Sequence, residues 1–282
     1  MFAYITWTVD PDLFSIGPLT VRWYGLMWAL GFLLGYWIES KIYLREKMTQ
    51  DQMDKLFIYM LVGTVIGARL GHCFFYNPSY YLSNLGEILC VWKGGLSSHG
   101  GACGILVALW IFAKRVALKD FIWVMDRIVI AVALCGACIR FGNLMNHEIY
   151  GHATDVPWAF EFIKNIHHWQ AGAEPVFSAP SHPTQIYEML YCLITFGIVM
   201  FLYWRTNVRQ YQGFIFGVFL ICVFLSRFCL EFLKNSQETF EDDMVLNMGQ
   251  LLSLPLIIWG GWLLYKSFSE MRSKGGLVRT NE

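Results

Sequence analysis

Arginines, one histidine and several carboxylates stand inside or at the ends of otherwise apolar runs of this chain. Arg140 closes one run, Arg227 and Glu231 close another, Tyr24 and His99 each open one, and Arg69 lies within a fifth. An arginine near the middle of a bilayer costs at least ~2.5 kcal/mol and persists where it faces protein, water or an anionic partner. Taken singly, Arg140 and Arg227 are also read as residues that extend toward lipid headgroups. Taken together, two guanidiniums at one level on different helices form a fork that grips a phosphate bidentately, which lysine does less well. A lipid phosphate is the natural ligand at that depth. Arg227 and Glu231 are four residues apart and share a helix face, where the carboxylate can hold the guanidinium in one rotamer or form a purely structural pair. His99 sits between Gly94-Gly95 and Gly100-Gly101, small residues that admit a close neighbour. It reads either as a hydrogen-bonded packing residue or as a general base, because an ordinary imidazole titrates near neutral pH.

The elements that must carry these residues are membrane spans. The chain has 282 residues, 56% hydrophobic and 15% charged, with a positive mean hydropathy. These values do not describe a soluble chain. About 20 apolar residues cross the hydrocarbon core, and seven such runs lie near 23–43, 56–76, 95–113, 121–140, 186–204, 213–232 and 248–265. The pattern predicts an all-α, polytopic protein, a single integral membrane domain over 1–282.

Orientation follows from the basic residues, which are retained on the cytoplasmic side. One set of loops holds Lys41, Arg45, Lys47 and Lys55, then Lys114, Arg115 and Lys119, then Arg205 and Arg209, then Lys266, Arg272, Lys274 and Arg279. The alternate set holds only Arg22, Lys93, Arg140, Lys164, Arg227 and Lys234. The amino terminus is therefore expected outside and the carboxyl terminus in the cytoplasm, which an odd number of spans requires. The first residues lack the basic start of a cleaved signal peptide, so the first span is expected to act as its own targeting signal. Position then becomes depth. Tyr24, His99, Arg140, Tyr187, Glu188, Arg227, Glu231, Asn247 and Gln250 all fall at outward span ends, and Arg69 stands about 20 Å up the second span from its cytoplasmic end. The connection 141–185 is outward-facing and rich in His, Trp, Pro and Gly, and a loop of that length is usually functional. It is expected to form a periplasmic cap.

Other patterns exclude more than they suggest. Basic and acidic residues balance at 21 each, so no charge excess draws the chain to nucleic acid. The eight cysteines lie almost all in apolar runs, where a thiol packs as a small hydrophobe, and neither a disulfide framework nor a metal site is read from them. Cys135 and Cys138 have redox-motif spacing but lie in an apolar span, which favours packing. The histidines of the 141–185 loop lack the spacing of a helical zinc site. Gly63, Gly67 and Gly71 form a small-residue stripe for close helix contact, expected within the bundle. Asp126 and Arg127 are adjacent, are not expected to pair on one face, and read as packing residues. A transporter or scramblase for anionic headgroups is the rival reading. It would place polar residues at both membrane faces and often show inverted repeats, whereas here they gather at one face and no repeat is evident. A membrane scaffold would not need this concentration at one level.

The run Arg140-Phe141-Gly142-Asn143-Leu144-Met145-Asn146-His147-Glu148-Ile149-Tyr150-Gly151 resembles the motif G-R-x-G-N-F-x-N-x-E-x-x-G of the bacterial phosphatidylglycerol–prolipoprotein diacylglyceryl transferases. It departs at Ile139, where that family usually has Gly, and at Leu144, where it usually has Phe; both changes bear on packing more than on charge. Similar segments follow in the family's order from about 13 to 255: Phe14 to Pro18, Trp23 to Met27, Gly67 to Gly71, Gly94 to Gly101, His182 to Glu188, Arg227 with Glu231-Phe232, and Met248 to Gln250. Val223 stands where the family usually has an aromatic residue, whose role is not carried over.

The resemblance implies a seven-span enzyme of the bacterial inner membrane whose site opens outward. Such enzymes transfer the diacylglyceryl group of phosphatidylglycerol to the lipobox cysteine of a prolipoprotein signal peptide, forming a thioether and releasing glycerol phosphate, without a cofactor. On this reading Arg140 and Arg227 hold the phosphate and Tyr24 places a hydroxyl at the pocket mouth. Asn143, Asn146, Glu148, Gly151, Glu231 and Arg69 complete the lipid site, Gly151 by permitting a turn that a side chain would block. His99 helps deprotonate the thiol, a role that Arg140 or Glu148 could fill instead. The phosphate grip and its depth follow from the residues; the acceptor and the choice of phosphatidylglycerol follow from the resemblance.

Overall fold

A computed structural model describes residues 4–17, 19–235 and 245–273. Pro18 and the tail basic residues Lys274 and Arg279 lie outside the described residues. Ten helices of α type and four short strands follow in order, among the described residues. Strands β1 (Ile5–Thr6), β2 (Asp12–Ile16) and β3 (Leu19–Arg22) precede α1 (Trp23–Arg45), α2 (Gln50–Phe75), α3 (Pro78–Ser83), α4 (Leu85–Ile88), α5 (Ser98–Phe112) and α6 (Phe121–Met145). Then come β4 (Phe160–Glu161), α7 (Ile166–Gln170), α8 (Thr184–Arg205), α9 (Phe214–Leu230) and α10 (Met248–Ser273).

Among the described residues six segments are long and apolar enough to cross a membrane: Gln50–Phe75, Ser98–Ala117, Phe121–Met145, Thr184–Arg205, Phe214–Leu233 and Met248–Ser273. They coincide with six of the seven expected runs. The run expected at 23–43 forms the 23-residue helix α1, which is not one of the six. Its tryptophans, tyrosines and glycines, with Glu39 and Lys41, lower its hydropathy although its length suffices.

The chain divides into two compact units, Tyr36–Arg127 and the remainder, with the division falling inside α1 and α6. In the Tyr36–Arg127 unit α2 and α5 pack at backbone distance. A Cβ on Gly63 would lie 2.6 Å from Ala108 Cβ, one on Gly71 2.6 Å from Gly100 Cα, and one on Gly67 would strike the Gly100 carbonyl. The glycine stripe is therefore a packing seam inside this unit, where dispersion between close backbones replaces the weak hydrophobic drive between lipid-bathed helices. Thr49 and Gln52 cap α2 reciprocally, satisfying donors that the first turn leaves open. Asp126 and Arg127 are both buried. Contrary to the expectation from adjacency they do approach, at 3.9 Å, because the long guanidinium arm bends back, while the closer partner of Arg127 is Glu46 at 3.0 Å.

In the other unit the chain start is stitched into the segment after α6. β1 pairs in parallel with β4, Trp7 donates its indole N–H to the Leu144 carbonyl at 3.1 Å, and Trp7, Tyr150 and Ile186 pack on a cluster of Leu144, Phe160 and Phe162. Tyr150 and Phe162 stack at 4.8 Å. Cys135 Sγ donates to the Gly31 carbonyl at 3.0 Å, so that thiol is a helix-packing group.

Candidate active site

Arg140 occupies the last turns of α6, and its charge is held from two directions. Its Nε lies 2.7 Å from Glu188 Oε2 on α8, and its Nη1 donates to Asn143 Oδ1 at 3.1 Å. Asn143 in turn donates through Nδ2 to Glu148 Oε1 at 2.8 Å, and Asn146 Nδ2 donates to the same oxygen at 3.2 Å. The motif's polar residues thus form one relay that sets the plane of the guanidinium. Arg140 Nη2 has no partner among the described residues.

Glu188 is fully buried and also lies 2.7 Å, through Oε1, from Lys234 Nζ. Lys234 is itself 4% exposed and stands 3.6 Å from Glu231 Oε2. Arg227 Nε is 3.9 Å from that same Glu231 oxygen. The 227/231 pair is looser than its spacing suggests, because α9 tightens into a 3-10 turn at Glu231–Leu233 and rotates the carboxylate toward Lys234. Arg140 and Arg227 therefore end one continuous chain of alternating charge, Arg140–Glu188–Lys234–Glu231–Arg227. Both guanidiniums lie within electrostatic reach of Tyr191. The carboxylates are buried, whereas the side chains of Arg140 and Arg227 are 20% and 31% exposed. The accessible face of the cluster is consequently cationic.

The turn after α6 is strained. His147 and Ile149 adopt φ of 56° and 60°, a left-handed conformation that is unfavourable for a β-branched residue. Four hydrogen bonds hold it. Gln185 Nε2 donates to the Glu148 carbonyl at 2.6 Å, and Thr184 Oγ1 donates to that of Ile149 at 2.7 Å. The His147 ring is bonded at both nitrogens: Nδ1 accepts from the Ile163 N–H at 3.1 Å, so Nε2 carries the proton toward the Val9 carbonyl at 2.8 Å. Burial lowers the His147 pKa below its ordinary 6.5, against the opposing pull of the Val9 bond and of Asp10.

Gly151, expected to permit a turn, does not take a positive φ. It is needed for close approach. A Cβ there would run into the Leu233 carbonyl oxygen and lie 2.8 Å from Thr184 Cγ2. The 151–152 backbone pairs with the Leu233–Lys234 turn, with the His152 N–H on the Leu233 carbonyl at 2.8 Å. Asn235 Nδ2 reaches the Gly151 carbonyl at 2.9 Å. On α1, Tyr24 packs against Gly142, where a Cβ would lie 2.9 Å from the tyrosine ring.

In the Tyr36–Arg127 unit, His99 is an exposed residue in the first turn of α5, behind the Ser97 cap whose Oγ accepts from the Gly100 N–H at 3.3 Å. Arg69, expected on the lipid phosphate, is 3% exposed. Its Nε donates to the Ile88 carbonyl at 2.9 Å, Nη1 to Gly94 at 2.5 Å and Gly95 at 3.2 Å, and Nη2 to Glu87 at 2.5 Å, with the Tyr81 ring 5.0 Å from its Cζ. Four of its five N–H donors reach carbonyls, those of Glu87 and Ile88 at the end of α4 and those of Gly94 and Gly95 beyond it, where a helix end leaves acceptors open.

The profile of the family described as prolipoprotein diacylglyceryl transferase matches residues 11–266. The chain belongs to that family. Similar proteins include the phosphatidylglycerol–prolipoprotein diacylglyceryl transferase of Porphyromonas gingivalis, 45% identical, covering 94% of this chain and 95% of the relative. The protein of the same name from Chloroherpeton thalassium is 44% identical, with 95% and 96% covered. That of Bacteroides fragilis is 38% identical, with 93% and 94% covered.

In this diacylglyceryl transferase family member the structure gathers Arg140, Asn143, Asn146, Glu148, Arg227 and Glu231 in one unit, with Gly151 and Tyr24 supporting them. It adds Glu188, Lys234, Thr184 and Gln185, which were not assigned as site residues from the sequence. Glu188 carries a signal, since a carboxylate near the start of an apolar span is costly unless paired. Lys234 carries none, because a basic residue just beyond a span end is ordinary. Among the described residues no group of three His, Cys, Asp or Glu is arranged to hold a metal.

Proposed function

We propose that the protein transfers the diacylglyceryl group of phosphatidylglycerol to the lipobox cysteine thiol of prolipoproteins. The observation that carries this is the cationic face of the Arg140–Arg227 cluster in a chain of this family. Arg140 presents Nη2, and Arg227 presents its outer guanidinium edge, to the phosphate of the lipid. In the reaction the thiol loses its proton to a base, sulfur forms a bond to the terminal glycerol carbon, and the bond from that carbon to the phosphate oxygen breaks. Glycerol phosphate departs with one more negative charge than the diester phosphate carried. The two guanidiniums stabilise that developing charge. Asn143, Asn146 and Glu148 hold Arg140 in the plane this requires, and Tyr24 lends a hydroxyl at the mouth.

His99 is assigned the base, since an ordinary thiol pKa near ~8.5 leaves little thiolate at neutral pH. The fold that supports this reading has seven spans, with α1 the seventh, in the bacterial inner membrane. The amino terminus and the 141–185 cap are periplasmic and the carboxyl terminus is cytoplasmic, following the distribution of basic residues. Nothing in the structure favours the transporter reading. The test uses purified protein, phosphatidylglycerol vesicles and a lipobox peptide, with mass spectrometry for the diacylglyceryl adduct. The wild type yields the adduct, and a His99→Gln protein loses about 10²-fold or more of the rate. A folded His99→Gln protein with full rate removes His99 from the base role, and a wild type that forms no adduct removes the function.

A further inference from the structure

We infer that Lys234 is a positioning residue for the lipid phosphate. It acts by neutralising the two buried carboxylates that would otherwise cancel the arginines. The inference rests on the phosphate-gripping role of Arg140 and Arg227 proposed above.

The cluster holds three cations, Arg140, Arg227 and Lys234, and three carboxylates, Glu148, Glu188 and Glu231. Glu188 and Glu231 are buried, and each touches one arginine on one side and the Lys234 ammonium on the other, at 2.7 and 3.6 Å from Nζ. Lys234 has almost no exposure of its own, so it does not meet the substrate. Its effect is indirect: it balances carboxylate charge from behind, which leaves the exposed guanidinium faces electrostatically positive toward an incoming anion. Without it, the three carboxylates would outnumber the two arginines, and the site's net charge would be one unit more negative at the place where a phosphate must bind. In a low-dielectric setting such a change is felt strongly.

The placement of Lys234 is built into the fold. The Gly151–Lys234 bridge, the Leu233 carbonyl seated against Gly151 and the Asn235 side chain on the Gly151 carbonyl tie the lysine's backbone to the end of the 140–151 motif. The motif therefore fixes Arg140 directly and its counter-charge through the 233–235 turn. The groups facing the two carboxylates are Arg140 from α6, Tyr191 and Cys192 from α8, and Arg227 and Lys234 on and after α9. From α10 the approach is uncharged, with Gly249 packed on the Glu231 carboxylate.

The experiment measures transfer in mixed micelles as a function of phosphatidylglycerol mole fraction. Lys234→Met is expected to raise KM for phosphatidylglycerol roughly tenfold or more with a smaller change in kcat. Lys234→Arg should restore KM. The double variant Lys234→Met with Glu231→Gln restores the net charge of the wild-type cluster and should bring KM down from that of Lys234→Met toward the wild-type value. A lysine that only fills space would leave the two losses additive, and that result overturns the inference. If Lys234→Met does not fold, the double variant decides: a KM roughly tenfold or more above the wild type, despite the restored net charge, overturns the inference. An Arg140→Gln control with an unchanged KM for the lipid would instead defeat the phosphate-grip reading, which separates the two failures.

Discussion

Arg140 and Arg69 are both arginines inside apolar helices, each in a different compact unit, and the structure uses them in opposite ways. Arg69 places its donors on the carbonyls of Glu87, Ile88, Gly94 and Gly95, and its charge is enclosed by backbone and the Tyr81 ring. Arg140 is anchored by one carboxylate and one amide and keeps an edge open. The difference teaches that the number of donors left over, rather than the presence of a charge at depth, is what leaves an arginine able to grip a ligand, the role proposed for Arg140. Arg69 meets the cost of a charge at depth with hydrogen bonds to carbonyls, and Arg140 with a carboxylate and an amide.

The largest expected effect tests this contrast directly. Arg140→Gln should lower the transfer rate by about 10²–10³-fold, whereas Arg69→Met should act first on stability, at about 2 kcal/mol for the loss of charge-assisted bonds to carbonyls. Lipid titrations and thermal denaturation of the two purified variants check it, and an Arg69→Met protein with the lipid defect of Arg140→Gln would break the comparison. A smaller effect is expected from Gly151→Ala. Its methyl must displace the Leu233 carbonyl, so KM for phosphatidylglycerol should rise and the melting temperature should fall, at ~1–3 kcal/mol of overpacking. An unchanged KM would detach the 233–235 turn from the site.

The smallest effect concerns pH. Because His147 has a lowered pKa in the fold, the unfolded chain binds its proton at higher pH than the folded one. The stability this neutral ring contributes is full above the ordinary value of 6.5 and is lost as pH falls from there through the lower folded value. Melting temperatures across that range should decline toward acid. His147→Gln, whose amide can replace one donor and one acceptor, should flatten the decline.

Much of this is legible in order of strength of signal. Runs of about 20 apolar residues are a one-dimensional consequence of bilayer thickness, so six spans can be placed before any contact is known. Only α1, diluted by tryptophan and glycine, falls outside the hydropathy of the rest. The motif from Arg140 to Gly151 can be read because short polar spacing within and just beyond one helix end keeps its members together. Asn143 reaching Arg140 three residues away is local geometry. Arg69 escapes such a reading for the complementary reason: its partners lie 18 to 26 residues later in a segment without helical periodicity, and depth alone cannot reveal them. The strained turn at His147 and Ile149 is also hidden, because neither residue type announces a positive φ.

The sequence by itself determined the solvent, the helices and the residues able to bear charge inside them, since hydropathy, basic-residue bias and side-chain chemistry are properties of the chain alone. Tertiary structure alone decided which charges meet. Lys234 becomes part of the site only because the turn after α9 comes back against Gly151, and Glu188 binds Arg140 only because α8 brings it within 2.7 Å. Coulomb and hydrogen-bond energies fall steeply with distance. Whether a buried ion is a brace or a grip is therefore settled by ångström-scale placement that no linear spacing encodes.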